Sequence, residues 1–395
     1  MINKFADLFK RFFDSEKVAG LFLLFCTIVS LIIANSSAGE SYMHFMHQIV
    51  DISFGGLALD HSIERWVNDG LMAIFFLMVG LEVKRELLVG ELASFSNAIM
   101  PVVAAIGGMV VPSLIHFAFN HGTPTQSGFA IPMATDIAFA LGILSLAGDK
   151  APMAVKIFLT ALAIIDDIGA VLIIAFFYTS TISFVYLGAA ISTFVLLLVF
   201  NRLGIKRLWW YIVPGLVLWY CLLQSGVHAT IAGVLLGFAI PFSTRGKNIS
   251  YKLEHFLHKP VAFIIVPIFA LVNTAIPLPG GNAASELLNT NTLGIVAGLF
   301  IGKVTGIFSF PYLLAKTGKA GLQEGITWRS LIGLGFLGGI GFTMSMFISN
   351  LAFKDEQMII MSKLSILAAS TLSAITGLLF FITNFYVSKR KHIGG

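Results

Sequence analysis

Long apolar runs alternate along the chain with short polar breaks, and the runs have the length of membrane helices. A helix that crosses the hydrocarbon layer needs about 20 mostly apolar residues. Twelve runs are candidates, the eighth and ninth of them short, at 18–34, 66–88, 98–119, 129–147, 152–178, 182–200, 209–224, 228–241, 260–275, 292–314, 331–350 and 358–386. The pattern predicts an all-α integral membrane protein of about twelve transmembrane helices, a single transmembrane domain over residues 1–395. Ahead of the first run, Ile2, Phe5, Phe9 and Phe12 recur with helical period against Asn3, Lys4, Asp7, Lys10 and Arg11. Residues 1–17 therefore read as an amphipathic helix on the inner membrane surface. A signal peptide ending near 34–38 is the other reading of a basic stretch before an apolar run. In the one long loop, 35–65, Ile52, Phe54, Leu57 and Leu59 alternate with small or polar residues around Gly55-Gly56. That fits a small β-hairpin on the outer side and, equally, an irregular loop.

Composition narrows the class. Of 395 residues, 57% are hydrophobic and 11% charged, against about 25% charged in ordinary soluble domains. Mean hydropathy is +0.90. A water-soluble fold of this size cannot hide that much apolar surface, which excludes a soluble enzyme, a nucleic-acid binder and a disordered chain. The net charge of +5 does not point to nucleic acid, because the basic residues are scattered between apolar runs. With the N-terminus inside, 21 of the 25 Lys and Arg fall on the inner side; Arg65, Lys354 and Lys363 lie outside and Lys303 lies within a span. That asymmetry supports an even span count with both termini cytoplasmic. Cys26 and Cys221 sit inside apolar runs and form neither a disulfide framework nor a metal-ligand spacing.

Four charges stand near mid-span: Asp136 in the fourth run, Asp166 and Asp167 in the fifth, Lys303 in the tenth. A charge at the bilayer centre costs about 2.5–3.5 kcal/mol on insertion scales. An internal ion pair would explain Lys303 and one acid. It leaves negative charge over, which protons or a bound cation must neutralise. Adjacent helix residues point about 100° apart, so Asp166 and Asp167 both reach water only where their helix borders a wide cavity or a broken neighbour. Close carboxylates resist double ionisation and titrate as a pair. A small hard cation can replace the protons on the same oxygens, and at a site that faces one side at a time this competition becomes exchange.

Two runs are interrupted. In the fourth, Pro132 removes a backbone donor shortly before Asp136, and Thr135 can cap the restarted half-helix. The eleventh carries Gly333, Gly335, Gly338, Gly339 and Gly341, followed by Phe342-Thr343-Met344-Ser345. Glycines there weaken a helix or let helices pack closely. Interrupted spans in corresponding positions of two halves predict inverted repeats, spans 3–5 and 10–12, with broken helices crossing at the midplane. Half-helices bring positive N-termini and negative C-termini into the membrane. Asp136 is placed to offset the former and Lys303 the latter.

Six stretches make the chain resemble the NhaA-type sodium/proton antiporters of bacterial inner membranes. They are WVNDGLMAIFFLMVGLEVKRE at 66–86, AIPMATDIAFALG at 130–142, KIFLTALAIIDDIGA at 156–170, SGVHATIAG at 225–233, GLFIGKVTG at 298–306 and GGIGFTMS at 338–345. The inverted-repeat rule was itself drawn in part from this family, so it is not independent support. The resemblance implies an electrogenic, pH-regulated exchanger that exports Na+ or Li+ against protons by alternating access. It implies no cofactor, no enzymatic chemistry, no nucleic acid, and a homodimer in the lipid membrane with the outer hairpin at the contact. By position, Asp167 resembles the main cation ligand and Asp166 its partner, able to pair with Lys303 and to exchange protons. Asp136 and Lys303 resemble the charges balancing the crossed helices, and Thr135 a site-lining residue. His228, Gly341 and the cytoplasmic group Glu82, Arg85, Glu86, Glu254, His255 and His258 resemble positions tied to pH response. On pattern alone that group is an ordinary ion-paired rim, and His228 is structural. The hairpin and residues 245–253 match the family least well.

The main rival is a proton-coupled carrier of a small organic solute, which would need a cluster of polar groups that the chain does not display. An intramembrane aspartyl protease wants a Gly-x-Gly-Asp context, and a prenyl-phosphate enzyme wants spaced acidic motifs; neither is present. A passive channel would move no protons uphill.

Overall fold

The computed structural model describes residues 16–53, 59–179, 181–243, 248–278, 289–318 and 320–393. The N-terminal amphipathic segment over 1–15, the centre of the hairpin at 54–58, and Arg245 and Lys247 lie outside the described residues. In chain order the elements are α1 (Glu16–Ala34), α2 (Gly39–His47), β1 (Ile49–Asp51), β2 (Asp60–Ser62), α3 (Met72–Val89) and α4 (Phe95–Asn120). A 3-10 segment, Pro124–Met133, then leads into α5 (Ile137–Leu146), followed by α6 (Met153–Phe177), α7 (Phe184–Arg202), α8 (Trp209–Ser225) and α9 (Ile231–Ala239). The chain ends with α10 (Ile249–Asn273), α11 (Thr290–Lys316), α12 (Trp328–Gly338), α13 (Phe342–Ala352) and α14 (Glu356–Ile393).

Among the described residues seven helices, α1, α4, α6, α7, α10, α11 and α14, are long and apolar enough to cross a membrane. Two bent pairs bring the number to nine: Pro124–Met133 with α5, at 47°, and α12 with α13, at 51°. These pairs are the fourth and eleventh predicted runs, so both expected breaks are present. The other three predicted runs are helical but carry less apolar length. α3 contains Glu82, Lys84, Arg85 and Glu86, α8 has 17 residues, and α9 only nine.

Two boundaries differ from expectation. The ninth run was expected to start at 260, yet its helix begins at Ile249. Lys252, Glu254, His255, His258 and Lys259 look like loop in an apolarity pattern. Asn248 nonetheless caps the helix by accepting the Tyr251 N–H at 3.1 Å, and Ser250, Leu253 and Leu257 form its buried face. A π-helical turn over Val261–Ile265 carries the helix past Pro260. The hairpin exists, but its ladder lies outward of the predicted alternation. Ile49, Val50 and Asp51 pair antiparallel with Ser62, His61 and Asp60, and the Ile52 N–H reaches Leu59 O at 3.1 Å.

The chain divides into two compact units. The first comprises residues 1–24, 90–170 and 278–395; it gathers both predicted repeats, each with a bent helix in the middle. The second comprises residues 25–89 and 171–277. In the first unit α4 and α11 meet backbone to backbone. A Cβ on Gly107 would lie 2.2 Å from Gly306 O, and one on Gly306 2.0 Å from Gly107 O, so only glycines permit this approach. Three residues before Gly306 stands Lys303, fully buried. In the second unit α3 and α9 pack similarly, with a Cβ on Gly233 falling 2.1 Å from Ala73 O. α7 turns Phe184, Val185, Ile191 and Val195 outward, as a lipid-facing helix does.

Candidate functional site

A helix broken inside a membrane exposes orphan N–H and C=O groups that no lipid can satisfy. In the first unit the two breaks satisfy one another. After Met133 the backbone is extended at Ala134 and Asp136, and the Asp136 N–H donates to Ile340 O at 2.7 Å. Ser345 Oγ donates to Ile131 O at 2.7 Å, and the Phe342 N–H reaches Ser370 Oγ at 3.1 Å.

Asp136 serves both restarted half-helices. Its Oδ1 accepts the Phe139 N–H at 2.9 Å, and its Oδ2 accepts the Thr343 N–H at 3.2 Å and the Thr343 hydroxyl. The carboxylate thus sits at the positive ends of α5 and α13 together. This corrects the expectation for Thr135: the cap of α5 is Asp136, and Thr135 faces the other way. Thr135 Oγ1 accepts from Lys303 Nζ at 2.9 Å, which leaves its single proton for Gly338 O at 2.9 Å or Asp166 Oδ2 at 2.8 Å. Gly338 is the last residue of α12. Lys303 therefore meets that negative helix end through the Thr135 hydroxyl, where a direct offset was expected.

Lys303 Nζ lies 2.6 Å from Asp166 Oδ2, with both side chains fully buried. Asp166 Oδ1 is also buried and accepts no hydrogen bond among the described residues. Asp167, next on the same helix, is 3% exposed. Of the two alternatives the sequence offered, the structure shows a broken neighbour: Asp166 meets Thr135 of the interrupted fourth run, and neither acid is more than 3% exposed. The site's donors are carboxylate, hydroxyl and carbonyl oxygens, a set that suits a hard alkali ion or a proton. Gly341 stands immediately before α13, and a Cβ there would fall 2.1 Å from Ser345 Oγ and 2.9 Å from Leu299 Cδ2.

The second unit holds the remaining expected residues. Arg85 is a hub: Nη1 lies 2.6 Å from Glu86 Oε1, Nε 2.8 Å from Glu254 Oε1, and Nη2 3.9 Å from Glu82 Oε1. Three carboxylates thus crowd one partly buried guanidinium, more than a solvated rim requires. His255 stacks on Tyr251 with ring centroids 6.4 Å apart, and neither it nor His258 enters these ion pairs. His228 Nε2 lies 2.9 Å from Tyr178 O. Sequence reasoning missed Thr343 as a partner of Asp136. It also missed Lys84, whose Nζ donates to Phe238 O and Ile240 O at the end of α9. A hydroxyl right after the glycine break was the available signal for Thr343; nothing in the sequence marks Lys84 apart from other rim lysines.

A multi-pass helical protein with opposed buried charges at paired helix breaks belongs to the class of secondary ion transporters, not of enzymes. A family model described as Na+/H+ antiporter 1 matches residues 10–381. The chain is 53% identical to the Na(+)/H(+) antiporter NhaA of Dechloromonas aromatica, covering 97% of each protein. It is 52% identical to that of Flavobacterium psychrophilum over 95% of each. Against the protein of the same name from Salmonella arizonae it is 48% identical over 93% of this chain and 96% of the relative. The chain belongs to the Na+/H+ antiporter 1 family.

Proposed function

We propose that Asp166, Asp167 and Thr135 form the exchange site of a sodium/proton antiporter that exports Na+ or Li+ from a bacterial cell by alternating access. Sodium/proton exchange is the activity of the family to which the chain belongs. The assignment to these residues rests on one observation: three acids, Asp136, Asp166 and Asp167, are buried in one unit, where the fully buried Lys303 pairs with Asp166; Lys363, 6% exposed, is a second buried base of that unit. Asp136 is committed to two helix N-termini and Lys303 is ion-paired with Asp166. The surplus negative charge of the group must be met by a proton or a cation in turn. In this reading protons from outside load Asp166 and Asp167, the site reopens inward, the protons leave, and a cation takes the oxygens. Two protons per cation would make the cycle electrogenic. The membrane is the inner one, both termini are cytoplasmic, and the working form is a homodimer.

The Arg85 hub with Glu82, Glu86 and Glu254, together with His255, His258, His228 and Gly341, is the proposed pH-responsive part. Protonating any of the three carboxylates removes an ion pair from Arg85, so the hub's packing depends on pH. An organic-solute carrier is disfavoured by crowding, since Thr135, Asp166 and Lys303 touch one another at hydrogen-bond distance with no exposed surface.

The test is proton movement in everted membrane vesicles on adding sodium chloride. The wild-type chain should release protons from the vesicle lumen, and Asp167→Asn should abolish that release at every pH tried while remaining folded. Normal exchange by Asp167→Asn would overturn the site assignment.

A further inference from the structure

Lys303 follows an irregularity in its own helix. α11 contains a π-helical turn over Gly298–Gly302, immediately before that lysine. An α-helix would give the Lys303 N–H to Leu299 O; here it goes to Gly298 O, and the Leu299 carbonyl is passed over. Such turns recur at functional sites. This one rests on both breaks of the first unit. A Cβ on Gly298 would fall 2.7 Å from Pro132 Cβ, and one on Gly339 would fall 2.3 Å from Leu299 O and 2.8 Å from Ser373 Oγ. The Leu299 carbonyl and the Ser373 hydroxyl thus border the same space, which only a glycine at 339 leaves open. Ser373 is fully buried on α14, yet its Oγ has no hydrogen-bond partner among the described residues. Other hydroxyls of that helix are engaged: Ser362, Ser365, Thr376 and Thr383 each donate to the carbonyl four residues back, and Ser370 Oγ accepts the Phe342 N–H. A buried hydroxyl left without a partner is costly, and a specific one in a native fold needs a reason.

We propose that Ser373 is a positioning residue for exchange: in the second state of the cycle its hydroxyl donates to the Leu299 carbonyl, and so holds the turn that carries Lys303. The inference rests on the antiporter reading above, which requires two states. With the Lys303–Asp166 pair closed at 2.6 Å, the hydroxyl makes no bond. Alternating access moves one repeat against the other. The π-turn belongs to the second repeat and touches the break of the first at Pro132, so that movement displaces the turn against Gly339 and α14. A bond from Ser373 to Leu299 O then stabilises the displaced turn. Leu299 lies one turn before Lys303, so the bond changes where the ammonium points.

The test is Ser373→Ala in the full-length protein, with exchange measured in proteoliposomes at saturating sodium and thermal stability measured in detergent. The hydroxyl has no bond to lose in the resting state, so the thermal midpoint should equal or exceed that of the wild type. The maximal exchange rate should fall about two- to tenfold, the worth of one neutral hydrogen bond in the second state. Ser373→Thr and Ser373→Val add the same bulk and differ only in the hydroxyl, so Ser373→Thr should exchange faster than Ser373→Val by the same factor. A group acting only on resting stability would move the midpoint and leave that ratio at one. An unchanged maximal rate in Ser373→Ala overturns the proposal. So does a lowered midpoint, or a Ser373→Ala chain that does not fold, since either shows the hydroxyl already bonded at rest. Equal rates for Ser373→Thr and Ser373→Val overturn it too. If the wild type moves no protons with sodium, the antiporter reading falls and this inference with it. If the wild type exchanges normally and Ser373→Ala matches it, only this inference falls.

Discussion

Replacing Lys303 with methionine keeps a side chain of similar length and removes its charge. The change avoids the cavity that alanine would leave at one of the largest fully buried side chains. Asp166 then loses an ammonium at 2.6 Å and retains only the Thr135 hydroxyl at 2.8 Å. Removing one partner of a buried ion pair costs about 3–5 kcal/mol, because the other charge is stranded. Extending the per-residue entropy of unfolding to a chain of this length gives roughly 1–2 °C per kcal/mol. The thermal midpoint in detergent should therefore fall by about 3–10 °C. The sign with pH follows directly. A protonated Asp166 has no charge to strand, so the deficit is largest at alkaline pH and shrinks on acidification. Combining Lys303→Met with Asp166→Asn removes both charges and should recover most of the loss, a strong coupling in a double-mutant cycle. An unchanged midpoint for Lys303→Met at alkaline pH would refute the ion-pair role. So would a double variant as unstable as the sum of its parts.

Two further predictions concern the packing that holds the site. Thr343→Val takes the hydroxyl from Asp136 and leaves it the Thr343 and Phe139 N–H groups; the loss should be about 1.5–3 kcal/mol, as for hydrogen bonds to charged groups, read as a lower denaturation midpoint. A midpoint equal to wild type would mean the backbone alone holds Asp136. Gly233→Ala places a methyl 2.1 Å from Ala73 O and should destabilise by about 1–3 kcal/mol or more, since overpacking between backbones has no flexible neighbour to give way. A thermostable Gly233→Ala would show that α3 and α9 can part freely.

What the sequence revealed and what it hid divide along a physical line. Apolar length, Pro132 before Asp136, the glycine run of 333–341 and the buried Asp166, Asp167 and Lys303 are local features, and each was legible. Thr135 and Asp136 are adjacent cap-type residues, and which one caps depends on where the chain turns. That turn is settled by the extended Ala134 and Asp136, a tertiary outcome. The first turns of α10 were hidden because their charges outweigh a three-residue buried stripe. Glu82, with Arg85 and Glu86 three and four residues on, was readable as one helix face, but the 2.8 Å contact of Arg85 with Glu254 spans 169 residues of sequence.

The accounting of orphan groups also bears on how many protons the cycle can carry. Asp136 is tied to the N–H groups of two half-helices, so neutralising it would expose both positive ends. It is a poor carrier. Asp166 is neutral in sum with Lys303 while the pair is closed. A closed pair therefore leaves the group one negative charge to trade, and one proton would replace one monovalent cation without net charge movement. An exchange of two protons for one cation requires the Lys303–Asp166 pair to change its protonation during the cycle, either by Lys303 giving up its proton or by the pair opening and Asp166 taking one. The 2.6 Å contact is then a resting arrangement, and a variant that keeps Asp167 but holds the protonation of this pair fixed should exchange ions without responding to the membrane potential.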